Sequence, residues 1–549
     1  MEKSSFKEFF KFLIPYKKKI GVIFLLQIII ISCSIFVPYK LGQVIHHLEI
    51  NNVNFSYLVK SFVILIGVYL IWDTSDVVNG IFFEWINKGV ENDIRSYCYT
   101  RILNSPMAKV QGKSEGEIIT KVIRDTEKVE KTFSNMFKLS YSVVNSIAII
   151  TMMIIVSPIL GSIVISLFSI IAITQRLMSK PLKELYGQYK SSEESLLTDL
   201  RNQISGFLTI KVFSLEDKSI NLLKNRNSDN FKNHIKINTK VSVIKNFNFF
   251  IASVFRVASI VIGGGLYLIK KINIGQIFSV YTYSIQLSYE LRNIIEIDIL
   301  LKDIKVSFKR IMEFLHEYDE LDMVASNSIE SIHSLNFENV NFKYDKKQLI
   351  NNLSFTSKKG SVIGIKGENG CGKTTLTYLL CGFYKPEGIF INNIPIASFS
   401  ENAICKRVSY VLQNVYLFPA TVMENLTCFG NIPHEEVYEV CKNIGLHDKI
   451  MKLPKGYETI INEKNLNLSG GEKQLISLAR ALLKDSDVLI LDEMNSALDS
   501  ATEDKLLTNI EPYLRDKIIF IISHRERVFN MCDTIIDLNK NNVYTQAIS

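Results

Sequence analysis

Long apolar runs without charge recur through the first 300 residues of the chain. A helix needs about 20 such residues to cross the ~30 Å hydrocarbon layer of a membrane. Residues 139–175 are uncharged, but one helix of that length would reach roughly 55 Å, and Ser157-Pro158 near the middle favours a turn. With two helices in this run, the pattern predicts six membrane spans, at residues 20–39, 61–83, two within 139–175, 247–269 and 272–289.

The distribution of lysine and arginine predicts how these spans are oriented. Basic residues concentrate at the N-terminus and in segments 88–138 and 176–245, whereas residues 41–57 contain no lysine or arginine. Because basic loops stay on the cytoplasmic side, six crossings place both chain termini in the cytoplasm. Lys270 and Lys271 fall on the outer side and depart from this rule.

The two basic segments between spans are too long for simple loops and contain almost no proline. We predict that the neighbouring spans extend into the cytoplasm and end in a short helix at each tip, near residues 105–118 and 205–216. In residues 1–18, phenylalanine and lysine alternate at helical spacing. This pattern predicts an amphipathic helix lying in the membrane interface.

The pattern changes at Leu335 to short β-rich runs separated by helical segments. Such alternation is typical of a largely parallel sheet wound with helices. Strands are predicted at 335–344, 362–365, 408–412, 488–491 and 518–522. The predicted domains are an interfacial helix (1–18), a six-helix transmembrane domain (19–318), a linker (319–334) and an α/β domain (335–549).

Composition agrees with this division. The 549 residues are 47% hydrophobic and 21% charged, which excludes a disordered or collagen-like chain. The formal net charge of +8 is modest for a chain of this length. Charge is therefore informative only when it is separated by segment, as in the orientation of the spans.

The sequence Gly367-Glu-Asn-Gly-Cys-Gly-Lys-Thr374 fits the phosphate-binding pattern G-x-x-x-x-G-K-[ST]. It follows a predicted strand and precedes an apolar helix, which is the context that the pattern requires. Glycines let backbone N–H groups surround phosphates, and the helix N-terminus adds a favourable dipole. We expect Lys373 to reach the β- and γ-phosphates of a nucleotide and the Thr374 hydroxyl to bind Mg²⁺.

The segment Val488-Leu-Ile-Leu-Asp492-Glu493 supplies acidic groups for the same chemistry. Its apolar residues predict a buried strand, and Asp492 comes at the end where open α/β sheets bind ligands. We expect Asp492 to hold Mg²⁺ through water and Glu493 to polarise the attacking water. Alone, the segment also fits a strand ending in a solvated acidic turn. The phosphate-binding pattern upstream favours the functional interpretation.

The most discriminating stretch is Leu468-Ser-Gly-Gly-Glu-Lys-Gln474. Here the sequence resembles the ATP-binding cassette (ABC) family, whose signature is L-S-G-G-E/Q. Tyr344 matches the aromatic residue that stacks on adenine in that family, and Gln413 matches the glutamine that senses Mg²⁺ and the membrane domain. Asp499, in Ser-Ala-Leu-Asp, matches the loop that crosses the dimer interface, and His524 matches the histidine that contacts the γ-phosphate.

The resemblance implies a P-loop NTPase nucleotide-binding domain with ATP and Mg²⁺ as cofactors. The implied catalytic residues are Glu493, His524 and Gln413. The implied Mg²⁺ ligands are Thr374, Gln413 and Asp492. The implied ATP contacts are Tyr344, Gly367, Asn369, Gly370, Cys371, Gly372, Lys373, Thr374, Thr375, Ser469, Gly470, Gly471 and Asp499.

The membrane half also resembles that of exporter-type ABC half-transporters, through residues 103–106, 206–213 and 309–314. One cassette and six spans are half of the usual transporter, so the resemblance implies a dimer. Its simplest form is a homodimer, and a heterodimer with a related half-transporter is the alternative. In such a dimer the signature segment 469–471 caps the ATP held by the other subunit. Asparagines near the signature and Met494-Asn495 after Glu493 depart from the family pattern without removing a catalytic group.

Charged residues inside the spans are the one clue to cargo. A charge at mid-bilayer costs about 2.5–3.5 kcal/mol on insertion scales and usually faces a cavity or a partner. The candidates for a substrate cavity are Asp73, Asp76, Arg256 and Glu290. Asp73 and Asp76 share a helix face and would favour cationic or peptide-like cargo. Structural roles, such as pairing between Arg292 and Glu296, are the competing interpretation.

The leading interpretation is an ATP-driven exporter of a peptide, drug-like or lipid-like substrate in the cell membrane, with the cassette in the cytoplasm. An importer on the same scaffold is open, because direction depends on the cavity's affinity in each state. A nucleotide-gated channel or regulator is a third possibility, against which the intact Glu493 and His524 argue. Six spans exclude a soluble ATPase that acts on nucleic acid, so no nucleic-acid partner is expected.

Overall fold

A computed structural model describes most of the chain. The described residues are 11–50, 54–113, 115–119, 122–123, 126–290, 293–294, 313, 328–344, 347–461, 468–492, 512–513, 516–523, 525–539 and 542–545. Most of the predicted interfacial helix and of the predicted linker lies outside them. The chain divides into a helical unit, Met1–Thr100 with Ser114–Glu317, and a sheet unit, Arg101–Lys113 with Tyr318–Ser549.

The helical unit is built from long helices with short ones between them. Its helices are α1 (Lys17–Glu49), α2 (Phe55–Asn104), α4 (Glu115–Ile119), α5 (Thr126–Val156), α6 (Pro158–Ser205), α7 (Phe207–Val212), α8 (Glu216–Leu268) and α9 (274–290). The remaining short helix of this half, α3 (Met107–Val110), belongs to the sheet unit. The 50 residues of α2 correspond to about 75 Å, far more than a bilayer requires.

Among the described residues, four helical segments are long and apolar enough to cross a membrane: Ile14–Glu49, Phe55–Asn104, Ser134–Val156 and Glu216–Leu268. They coincide with four of the six predicted spans. The other two predicted spans fall on α6 and α9, which are helical. The predicted turn is confirmed, because α5 ends at Val156 and α6 begins at Pro158 with extended backbone at Ser157. The short helices α3 and α7 stand at the two predicted tips.

Helices α1 and α9 are joined by polar contacts around a proline. Pro38 lies inside α1 and has no N–H, so the carbonyl of Ser34 one turn earlier lacks its usual donor. The side-chain amide of Gln286 donates to that carbonyl at 3.3 Å, and the hydroxyl of the buried Tyr283 donates to the carbonyl of Ile35 at 2.5 Å. Side chains of α9 therefore satisfy backbone groups that an apolar membrane could not.

The same two helices touch through their backbones where glycines face each other. A Cβ atom on Gly275 would lie 2.0 Å from the carbonyl oxygen of Gly42. A Cβ atom on Gly42 would lie 1.9 Å from the Ser279 hydroxyl. Only residues without a side chain permit this approach, as is common where membrane helices cross closely.

The sheet unit contains two sheets. An antiparallel sheet has the order β2-β1-β4-β5, and a second sheet has the order β10-β9-β3-β8-β7-β6, parallel except for β10. The strands are β1 (Ser334–Tyr344), β2 (Lys347–Lys358), β3 (Val362–Lys366), β4 (Ile389–Ile391), β5 (Ile394–Pro395), β6 (Val408–Val411), β7 (Val488–Asp492), β8 (Ile518–Ile522), β9 (Thr534–Asp537) and β10 (Asn542–Thr545). The parallel sheet was predicted from the sequence, whereas the separate antiparallel sheet was not.

Helices connect and cover the parallel strands. They are α10 (Lys373–Leu380), α11 (Glu401–Arg407), α12 (Val422–Thr427), α13 (His434–Asn443), α14 (His447–Met451), α15 (Gly470–Leu483) and α16 (Glu526–Phe529). One apolar core includes side chains from both sheets, with Phe337 stacked on Phe355 at 4.4 Å and Phe520 at its centre. A second core packs α12 to α15 against the parallel sheet. Every residue of β8 is buried, which agrees with its uninterrupted apolar sequence.

The glycine contact between α1 and α9 generates the first prediction. Gly275→Ala should lower the thermal stability of the detergent-solubilised protein, because the new methyl group would overlap a carbonyl and overpacking destabilises by about 1–3 kcal/mol. Gly264→Ala is the matched control, since a Cβ atom there meets nothing within 4 Å. Thermal unfolding followed by fluorescence-detected size exclusion makes the comparison. Equal melting temperatures for the two variants would contradict the proposed crossing.

Candidate functional site

The phosphate-binding pattern forms a loop between β3 and α10. Gly370 and Gly372 have φ angles of +82° and +109°, in the left-handed region that favours glycine. Gly372 is also the N-cap of α10, so the loop leads directly into the helix N-terminus. The side chain of Thr374 is exposed and that of Thr375 is buried. This geometry leaves backbone N–H groups and one hydroxyl available to an anionic ligand.

The side chain of the loop lysine folds back onto the backbone of the same loop. Lys373 Nζ donates to the carbonyl of Gly367 at 2.7 Å and to that of Glu368 at 3.4 Å. Asn539, which follows β9, fixes the same loop by accepting the Glu368 N–H at 3.1 Å. The ammonium group is therefore held close to the backbone that would surround phosphates, where a positive charge would add to the helix dipole.

The predicted acidic and polar partners lie at the carboxyl edge of the parallel sheet. Asp492 ends β7 and pairs in register with Ile522, the last residue of β8. Gln413 is exposed in the loop two residues after β6. Parallel strands bring these ends to the same edge as the phosphate loop after β3. Glu493, Asp499 and His524 lie outside the described residues.

A tyrosine that sequence reasoning missed holds Asp492 in place. Tyr410 in β6 donates its hydroxyl to Asp492 Oδ2 at 2.8 Å and accepts from the Thr377 hydroxyl at 3.1 Å. Burial raises the pKa of the Tyr410 phenol, and the charge of Asp492 raises it further. The phenol therefore stays protonated and remains a donor to the carboxylate. No local sequence pattern signals this contact, which joins residues of neighbouring strands.

These groups fit a magnesium nucleotide. Mg²⁺ prefers oxygen ligands and is usually held by one or two protein groups together with phosphate oxygens. The Asp492 carboxylate, the Thr374 hydroxyl and the Gln413 side-chain carbonyl are such oxygens. Among the described residues, no cluster of three or more histidine, cysteine or acidic side chains forms an all-protein metal cage. The three oxygen donors named above would leave the remaining ligand positions of Mg²⁺ to phosphate oxygens and water.

The signature segment forms the exposed N-terminus of α15. Ser469 is the N-cap, with its hydroxyl accepting the Glu472 N–H at 3.3 Å, while the Glu472 carboxylate accepts the Ser469 N–H at 2.8 Å. This capping box fixes the first turn of the helix. Behind it, Leu475, Ile476 and Leu478 are buried in the second core. Gly470 and Gly471 are consequently presented on a rigid helix end.

A second arrangement missed from the sequence fixes the segment after Gln413. Arg480 in α15 donates to the carbonyl of Tyr416 at 2.7 Å and to the Asn425 side chain at 2.6 Å. Asn425 is fully buried, and its side chain bonds both the N–H and the carbonyl of Phe418. The loop that begins at Gln413 is thus tied to the helix that carries the signature.

The aromatic residue predicted to stack on adenine lies at the end of β1. Tyr344 is half-buried, and its ring centroid is 5.4 Å from that of Tyr384 and 5.1 Å from that of Phe342. The ring of Tyr344 is therefore in edge-to-face contact with two further aromatic rings.

The four charged residues predicted for a substrate cavity have different surroundings. Asp73 and Asp76 are exposed on α2. Arg256 is half-exposed, bonds Ser253 on its own helix and lies 5.1 Å from the Phe249 ring. Glu290 is buried and accepts from the Asn145 amide at 2.8 Å. Among the described hydrogen bonds, none joins Asp73 or Asp76 to Glu290, and the cavity stays a prediction.

Comparison with known proteins decides the family. Residues 20–291 match the ABC transporter transmembrane region, and residues 350–496 match the family described as ABC transporter. A protein of Rickettsia bellii named as an export ATP-binding/permease protein is 30% identical over 503 residues, which cover 89% of this chain and 86% of that protein. The chain belongs to the ABC transporter family. Its membrane-spanning region and its ATPase are fused, so ATP hydrolysis is coupled to transport.

Other similar proteins agree with this assignment. The ABC transporter ATP-binding protein YfiC of Bacillus subtilis is 27% identical over 540 residues, which cover 94% of this chain and 87% of that protein. The solved structure of a bacterial Atm1-family ABC exporter with ATP bound superposes with a TM-score of 0.82 at 20% identity, covering 96% of this chain and 94% of that one. At this identity the likeness shows the fold. The predicted family, fold class and ATPase activity of this ABC transporter are thereby confirmed, while the individual site residues stay predictions.

Tyr410 generates the second prediction. Tyr410→Phe keeps the ring but removes the bond that orients Asp492. We expect ATPase turnover to fall about five- to tenfold and to require more Mg²⁺, because a hydrogen bond to a charged group contributes roughly 1.5–3 kcal/mol, only part of which acts in the rate-limiting step. Tyr438→Phe, in α13 of the same unit, should leave both quantities unchanged. A magnesium titration of the ATPase rate measures the effect. Identical curves for wild type and Tyr410→Phe would contradict the role of Tyr410 in orienting Asp492.

Proposed function

We propose that two copies of this chain form a homodimeric ABC exporter that works by alternating access. The observation that carries the dimer is an apolar surface at the second cytoplasmic tip. Phe207, Leu208, Val212 and Phe213 are 61%, 76%, 69% and 68% exposed. Several large exposed apolar side chains within seven residues are typical of an interaction site. A second copy of the chain is the partner that the family resemblance supplies.

We assign the cassette residues the following roles. Lys373 and Thr374 bind the phosphates, and Asp492 with Gln413 completes the oxygen ligands of Mg²⁺, which neutralises phosphate charge when it is bound. Tyr344 stacks on adenine. Glu493 accepts a proton from the attacking water, and His524 donates to the γ-phosphate. Segment 469–471, together with Asp499, closes the site of the partner subunit.

In this proposal the cassettes lie in the cytoplasm, and nucleotide binding brings them together while hydrolysis separates them. Similar proteins are named as export proteins, which supports the outward direction of transport.

The substrate is a peptide-like, drug-like or lipid-like molecule, and the acidic pair Asp73 and Asp76 favours a cationic one. Import on the same scaffold and a gated channel are the alternatives, and transport by inside-out vesicles distinguishes all three. Concentrative uptake that requires ATP identifies an exporter, ATP-dependent release of loaded substrate identifies an importer, and ion current without concentration identifies a channel.

The third prediction tests the catalytic base. Glu493→Gln should lower ATPase turnover at least about a hundredfold with ATP binding retained, since general-base catalysis typically contributes 10²–10⁴-fold. Cells that express the variant should also lose the metabolite or peptide release seen with wild type. Glu435→Gln, at an exposed position of α13, is the control for loss of one carboxylate. An ATPase rate for Glu493→Gln equal to that of the control would refute the assignment.

The fourth prediction tests the apolar tip. Leu208→Ser should reduce ATP-induced crosslinking of two subunits and lower ATPase turnover about tenfold, because burial of one leucine stabilises an interface by roughly 1.5–3 kcal/mol. Met451→Ser is the control, since Met451 is also exposed, at 58%, but lies on the sheet unit. The yield of crosslinked dimer in nanodiscs is measured with a non-hydrolysable ATP analogue. Unchanged yields for Leu208→Ser would leave the tip without a role in the dimer.

A further inference from the structure

The first cytoplasmic tip is bound to the sheet unit of its own chain through polar groups. Segment Arg101–Lys113 belongs to that unit by its contacts. At its centre the N–H of Met107, the first residue of α3, donates to both carboxylate oxygens of Glu401 at 3.2 and 3.3 Å. Glu401 is itself the first residue of α11. A carboxylate therefore caps the N-terminus of the short tip helix.

A second contact connects the same segment to the aromatic residues beside the predicted adenine position. The Tyr384 hydroxyl donates to Gln111 Oε1 at 2.5 Å. Gln111 is the C-cap of α3, so the two contacts hold the two ends of the tip helix. The Tyr384 ring packs edge-on against Tyr344, with an interplanar angle of 84°, and lies 5.0 Å from Phe342. One side chain thus touches both Tyr344 and the cytoplasmic tip.

From this geometry we infer that Tyr384 is a positioning residue that communicates occupancy of the adenine position at Tyr344 to segment Arg101–Lys113. The inference rests on the proposed role of Tyr344 as the adenine-stacking residue. A base that stacks on Tyr344 restricts the ring that Tyr384 contacts, and the Tyr384 hydroxyl transmits that restriction to Gln111. This route is separate from the one through the phosphates, because it involves neither the phosphate loop nor Asp492.

The chemistry of Tyr384 suits a permanent donor. Burial raises the pKa of its phenol, and a hydrogen bond with Tyr344 raises it further. Its hydroxyl consequently stays protonated at physiological pH and can donate to the neutral amide oxygen of Gln111. The ring contacts of Tyr384 and the bonds of its hydroxyl are distinct, so substitution can separate them. Phenylalanine at this position keeps the rings together and removes the hydroxyl with its bonds to Gln111 and Tyr344, whereas Gln111→Leu removes only the bond to the tip.

The experiment compares a probe that carries the base with one that lacks it. Full-length protein in nanodiscs is saturated with a non-hydrolysable ATP analogue or with tripolyphosphate, each with Mg²⁺, and amide hydrogen exchange is followed in residues 101–113 and 367–375. In wild type the ATP analogue should slow exchange in 101–113 about fivefold more than tripolyphosphate does, the equivalent of one net hydrogen bond. Both probes should protect residues 367–375.

Two variants break the connection from opposite sides. Tyr384→Phe and Gln111→Leu should each abolish the adenine-specific protection of 101–113, while protection of 367–375 and the KM for ATP stay within about twofold of wild type. The double variant should add nothing to either single variant, since both remove the same bond. Tyr513→Phe is the matched control, because its hydroxyl also bonds a side-chain amide, that of Asn443 at 2.7 Å, elsewhere in the sheet unit.

The outcomes distinguish this inference from the proposed function. If Tyr344→Ala leaves ATP affinity unchanged, the adenine role of Tyr344 is wrong and the inference fails with it. If Tyr344→Ala weakens ATP binding but Tyr384→Phe retains the adenine-specific protection, the connection alone is wrong. Equal protection of 101–113 by both probes in wild type also overturns it. If Tyr384→Phe folds poorly, the protection of residues 101–113 in Gln111→Leu tests the same bond from the side of the tip helix.

Discussion

The register of the central parallel strands is the constraint on which the cassette depends. Strands β3, β8, β7 and β6 are neighbours in that order, and their carboxyl ends coincide. Their interiors are buried, so a shift by one residue would move apolar side chains out of the core. The phosphate loop follows β3 directly, Asp492 ends β7, and Gln413 lies two residues after β6. Their convergence is consequently a property of the sheet, and the loops need only supply the final residues.

The membrane imposes a different constraint on the other half of the chain. Hydrocarbon offers no hydrogen bonds, so each backbone group in a span must find a partner within the protein. At Pro38 in α1, Gln286 of α9 provides the missing donor for Ser34, Tyr283 donates to the carbonyl of Ile35, and the glycines at 42 and 275 let the backbones meet. The bond from Asn145 likewise gives one oxygen of the buried Glu290 carboxyl group a partner within the protein. Polar residues of α9 therefore serve packing, whatever further part they take in transport.

Local patterns predicted much of this structure, because local physics determines it. Apolar length predicted the spans, Ser157-Pro158 the turn, and glycine spacing the phosphate loop. The sequence could not indicate which side chain orients Asp492 or which residue ties the segment after Gln413 to the signature helix. Tyr410 and Asp492 are 82 positions apart, and Arg480 and Asn425 are 55 apart. Such contacts depend on strand order and on the packing of the second core, neither of which has a local signature. The antiparallel sheet was missed for the same reason.

The two tips that are predicted to lie in the cytoplasm differ in chemistry, and the difference constrains how each can act. The first tip, α3, is held by a carboxylate at one end and by a phenol at the other. Directional bonds of this kind respond to small rotations, since they weaken steeply when their angles change. The second tip, α7, presents side chains that are apolar and exposed. The free energy gained by burying apolar side chains is proportional to the buried area and has no directional requirement. Such contacts therefore suit attachment to a surface that moves as a rigid body. If both tips served only for attachment, apolar contacts at each of them would be sufficient. This difference is expected if, as proposed, α3 responds to nucleotide binding in its own cassette while α7 binds to the partner subunit.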